Sequence, residues 1–147
     1  MKMQLPYSEE LNIEYLGRLF DNTSECYKFF WFKAIVSKIK KNQLEIPYED
    51  LVDEMIADAW YMVNEYHLNL GPKDTLEAIL NLIKEKYPSI KSSEDKSKII
   101  KLLRETDDKD IKSKKRTLTY NVPYRLQAPF LKDLKGKDWN VGESKLA

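Results

Sequence analysis

A chain of 147 residues, 42% hydrophobic and 12% aromatic, is long enough for one domain with a real core and too apolar to be disordered throughout. Four glycines beside abundant Leu, Ile, Lys and Glu favour an all-α fold, and a single cysteine excludes a disulfide framework and any multi-cysteine zinc or iron–sulfur site. The net charge of +1 hides an asymmetry, since residues 1–88 hold ten Lys or Arg against fifteen Asp or Glu, and the remainder fifteen against nine.

The basic C-terminal part suggests a partner such as nucleic acid, or contact between the two halves of the chain. A pI near 7.7 falls short of the strongly basic footprint of a dedicated nucleic-acid binder. The N-terminus has no apolar run of the signal-peptide kind and no stretch of about 18 apolar residues occurs, so no membrane partner and a reducing, cytoplasmic setting are expected.

Residues 8–20 carry Leu11, Tyr15 and Leu19 four apart, with Ser8 as a candidate N-cap, and read as a short helix. Residues 22–41 follow as a helix that is apolar nearly all round. At about 100° per residue, Tyr27, Phe30, Trp31 and Ala34 share one sector, Phe32, Ile35 and Ile39 the next, and Cys26, Phe29 and Val36 the opposite one. Such a helix is expected at the centre of the domain. Asn22 and Glu25 have capping-box spacing at its start, and Lys40, Lys41 and Asn42 mark its end.

Ile46 and Pro47 open a third helix, with Leu51, Val52, Met55, Ile56, Ala59, Trp60 and Val63 on one face. Its other face holds Glu49, Asp50, Asp53, Glu54, Asp58 and Glu65. These acids are expected to face water, the alternative being an acidic docking surface for a basic partner. Asn69 to Pro72 is a turn by composition, after which Asp74 or Thr75 can cap a fourth helix packed through Leu76, Ile79, Leu80 and Ile83. A polar loop over 89–97 passes into a helix from about Ser93 that carries Ile99, Ile100, Leu102 and Leu103 and decays through the basic run that follows.

From Thr117 two prolines stand among alternating aromatic and aliphatic residues, which reads as an extended segment wrapping the helices. The expected architecture is therefore all-α: one domain over 1–131, a compact orthogonal bundle of about five helices around the helix 22–41, with an extended C-terminal segment. Residues 132–147 read as a tail or the start of a linker.

The chemistry open to this chain is narrow. The third-helix carboxylates lack the Glu-x-x-His partners of bundle metal sites, His67 is the only histidine, and Cys26 reads as a small core residue. No glycine-rich phosphate loop and no nucleophile with a base and an orienting acid occur, so no catalytic residue, metal ligand or cofactor is assigned. Lys28 and Lys33 are expected to reach from the core to its rim. The most concentrated basic feature is the run 109–116, with Arg125 beyond it. Lys112, Lys114, Lys115, Arg116 and Arg125 are the candidate nucleic-acid-binding residues, with Tyr120 and Tyr124 available to stack on bases. The plainer alternative is a solvated helix end with buried tyrosines.

Residues 5–36, LPYSEELNIEYLGRLFDNTSECYKFFWFKAIV, resemble the N-terminal region of bacterial HNH-endonuclease-domain-containing proteins. The match is carried by Leu5, Tyr7 and Ser8 and by Asn22, Thr23, Tyr27, Lys28, Phe29, Trp31 and Phe32, and residues 56–74 and 122–131 add to it. The resemblance implies a non-catalytic accessory or DNA-recognition domain. The nuclease chemistry, its histidines and its divalent metal would lie in a downstream module with no counterpart here, and the end at Ala147 is expected to mark an isolated N-terminal domain. DNA and that nuclease module are the implied partners. The alternative is a protein-interaction or oligomerisation module working through the aromatics between Tyr120 and Phe130.

Overall fold

The computed structural model describes residues 7–10, 13–18, 26–71 and 74–127. Among them are six helices and no strand: α1 (Ile13–Arg18), α2 (Tyr27–Lys40), α3 (Tyr48–Asn64), α4 (Thr75–Lys86), α5 (Lys96–Glu105) and α6 (Lys109–Gln127). The expected all-α class is what the chain adopts, and the helices pack into one cluster of buried side chains. Asn22, Glu25 and residues 128–147 lie outside the described residues, so the capping box at 22–25 and the tail have no structural counterpart to set beside them.

The centre of the fold is α3, which packs against α2, α4, α5 and α6. Every residue from Leu51 to Trp60 is buried, including Asp53, Glu54 and Asp58. The expectation of a central 22–41 helix is corrected accordingly. Tyr27, Phe30, Trp31 and Ala34 of α2 are buried, but Phe29 and Ile39 are 52% and 49% exposed, so α2 lies on one side of α3. Counting apolar sectors misplaced the centre because aromatic rings tolerate a half-exposed position, whereas buried carboxylates were not counted as core at all. The end of α2 follows the expected signals: Asn42 takes a left-handed φ of 57°, and the Gln43 and Asn42 amides close back on the Lys38 and Ile39 carbonyls.

The apolar stripes of α3 and α4 pack as read from their spacing, with Leu76, Ile79, Leu80 and Ile83 fully buried. Asp74 caps α4, its Oδ1 accepting from the Leu76 and Glu77 amides at 2.7 and 3.4 Å. His67 sits beyond α3 at a φ of 53°, in the turn where Gly71 takes a φ of 118° and its amide donates to Asn69 Oδ1. Cys26 is half-buried against the core next to the start of α2. Trp60 Nε1 donates to the Lys91 carbonyl at 3.0 Å, which fastens the connection between α4 and α5 onto α3.

A second correction concerns residues 117–127, which are helical rather than extended. Asp108 starts a new helix, its Oδ1 accepting from the Asp110 and Ile111 amides at 3.0 Å, and α6 runs on through Pro123. Pro123 removes one backbone donor and crowds the preceding turn. Burial of Ile111, Leu118, Val122 and Leu126 along one stripe offsets that cost. The helical spacing of those four residues was present in the sequence; the prolines and aromatics outweighed it.

Candidate nucleic-acid interface

The buried acids of α3 explain where the basic residues stand. Asp58 Oδ1 accepts from Lys33 of α2 at 2.7 Å and from Lys96 of α5 at 3.0 Å. Glu54 is held by Lys96, by Ser37 at 3.1 Å and by Lys38 at 3.7 Å. Asp53 faces α5 and α6, with Arg104 Nε 3.6 Å from Oδ2 and Lys115 Nζ 2.6 Å from Oδ1. At that distance Lys115 is the closest cation to Asp53. The expected solvated acidic face is thus overturned for Asp53, Glu54 and Asp58, which α3 presents to three neighbouring helices that each bring cations to them, whereas Glu49 and Glu65 are exposed as expected and Asp50 is half-buried.

Burial raises the Asp53 carboxyl above its ordinary value despite the cations beside it. Burial also acts to raise Glu54, but Lys96, Ser37 and Lys38 outweigh it and the net shift is downward. Lys96 loses hydration, yet its two carboxylate partners hold its ammonium proton more firmly than in water. Among the described residues no three His, Cys, Asp or Glu side chains are gathered as a metal site, and no helix is long and apolar enough to cross a membrane.

Of the five candidate binding residues, α6 brings three together. Lys112, Lys115 and Arg116 line a groove of about 630 Å³ between α6, the end of α5 and the start of α3. Lys112 and Arg116 are four apart and share a face with Lys109 and Tyr120, which also line it. Lys115 forms the floor and is committed to Asp53, its side chain only 17% exposed. Lys114 stands about 200° round the helix from Lys112 and does not line the groove. Arg125 lies farther along α6 in a separate cleft of about 140 Å³, with Asp74, Thr75 and Asn121. The expected single patch is therefore divided by helical geometry.

Two groove residues were missed in the sequence. Arg104 comes from α5 and Glu49 from the first turn of α3, and only the packing of those helices places them beside α6. Arg104 also donates to Asp50 at 3.2 Å while remaining 52% exposed. Lys112 pairs with Asp107 at 3.1 Å in a solvated contact of the kind that holds little energy. Lys109 and Arg116 form no ion pair with any described residue. Of the aromatics of the alternative reading, Tyr120 is half-buried at the groove, Tyr124 is 45% exposed one turn farther on the same face, and Phe130 lies outside the described residues.

Compared with family models, curated proteins and solved structures, the chain matches none.

Proposed function

We propose that this domain is a non-catalytic nucleic-acid-recognition module whose α5–α6 groove takes the phosphate backbone. One observation carries the reading: Arg104, Lys109, Lys112 and Arg116 converge on a single concave surface, two of them unpaired among the described residues. Phosphate oxygens are the ligands that several convergent, solvated Lys and Arg side chains suit best. The resemblance of residues 5–36 to the N-terminal regions of HNH-type nucleases supports placing the module beside a DNA-cleaving domain.

The test is the salt dependence of binding. Each phosphate neutralised contributes about −0.7 to −0.9 to the slope of log K against log salt, so engagement of the groove predicts a slope of about −3. Substituting Lys109, Lys112 and Arg116 together by Ala should flatten that slope and abolish most binding. No binding at low ionic strength, or an unchanged slope in the triple variant, would refute the reading.

A further inference from the structure

Glu49 is the one acid among the residues that line the groove. It is exposed and forms no ion pair with any described residue. A carboxylate in a site for phosphate alone only repels the ligand, whereas a carboxylate facing a nucleotide base accepts hydrogen bonds from exocyclic amino groups. In a duplex the amino groups of cytosine and adenine are reached from within the major groove, which a protruding helix or ribbon enters and a concave surface does not, so a duplex offers this groove mainly a phosphate ridge.

Resting on the reading just given, we propose that the groove takes an unpaired nucleotide of a single strand, its phosphates on Lys109, Lys112 and Arg116 and an amino-bearing base edge on Glu49. The two walls are suited to opposite ends of one nucleotide, since the cations come from α6 and the acid from α3. Tyr120, four residues beyond Arg116, lines the same wall. Cytosine, adenine and guanine each offer an exocyclic amino group to the carboxylate, guanine with a ring N–H beside it. Thymine and uracil offer one N–H between two carbonyl oxygens, which the carboxylate repels. Glu49 therefore selects against thymine and uracil.

Glu49 also stands in the first turn of α3, where negative charge favours the helix end, and this competing role makes a different prediction. Binding of short oligo-dC, oligo-dT, a mixed-sequence duplex and inorganic polyphosphate is to be compared for the native chain and Glu49→Gln, with circular dichroism confirming the fold of the variant. The expected result is a preference for oligo-dC over oligo-dT of about tenfold that the variant loses, with oligo-dC held more tightly than the duplex. Equal binding of the two strands by the native chain, tighter binding of the duplex, or a variant that tightens every probe by the same factor would overturn the inference alone. Failure of all oligonucleotides to bind would overturn the underlying function and this inference together.

Discussion

Lys115 of α6 and Asp53 of α3 meet with Nζ 2.6 Å from Oδ1, their side chains 17% and 2% exposed. This contact joins the basic run to the buried acidic edge of the central helix, and it makes Lys115 a structural residue at the floor of the groove. Taking away one partner leaves the other charge buried without compensation. Because Arg104 still faces Asp53, Lys115→Met should cost about 2–3 kcal/mol, toward or below the low end for broken buried pairs. Adding Asp53→Asn should bring stability back to within about 1 kcal/mol of the native chain, since an apolar and neutral replacement of both partners removes the stranded charge. Urea unfolding of both single variants and the double variant decides it. Strict additivity of the two single effects would show that the pair is not coupled.

The two neighbouring acids Asp53 and Glu54 should act in opposite directions with pH. Asp53 has a folded pKa raised from 3.8, so its favourable contribution is complete below that value and is lost as pH rises through the folded pKa. Glu54 has a folded pKa lowered from 4.5, so its contribution is present above that value and is lost as pH falls through the folded pKa. Relative to the native chain, Asp53→Asn should therefore fare best near neutrality and lose ground on acidification. Glu54→Gln should do the reverse, with its deficit shrinking as pH falls. Thermal unfolding across that range measures both trends, and parallel curves for the two variants would contradict them.

These acids also show what was legible in the chain and what was not. The stripes of α3 and α4 and the Asp74 cap could be read directly, because apolar spacing and a capping side chain are properties of adjacent residues. The burial of Asp58 could not, because it depends on Lys33 and Lys96, which lie 25 and 38 residues away. A local sign existed nonetheless. Lys115 interrupts the stripe of Ile111, Leu118, Val122 and Leu126, and Lys38 follows Ala34 on the buried side of α2. A lysine inside an apolar stripe asks for a buried carboxylate, and the acids of α3 were the available supply. For the groove, the separation of Lys114 from Lys112 and Arg116 follows from 100° per residue once residues 109–127 are taken as helix. The contributions of Arg104 and Glu49 require the tertiary packing.

Trp60 ties the core to a connection that has little else buried. Its side chain is 1% exposed and its Nε1 donates to the Lys91 carbonyl. Trp60→Phe keeps most of the apolar contact, removes the donor and leaves a small void, for a combined cost of about 2 kcal/mol. The loss should be concentrated in residues 87–95. Amide exchange should speed there and at the start of α5 more than in α2. A uniform rise in exchange throughout the helices would mean that the indole stabilises the core as a whole and does not specifically fasten that connection.

The division of the basic run by helical geometry yields a prediction about binding that stability cannot imitate. Lys109 and Arg116 line the groove, and Lys114, two positions before Arg116, does not. None of these three forms an ion pair with a described residue, so replacing any of them should leave unfolding nearly unchanged. Lys109→Glu and Arg116→Glu should each weaken oligonucleotide binding about tenfold at low salt and reduce the salt slope by about one. Lys114→Glu changes the net charge by the same amount from the other side of α6. If binding is local to the groove, its effect should be several-fold smaller and should leave the slope nearly intact. Equal losses from all three reversals would show that the chain attracts nucleic acid by overall charge, without using the groove.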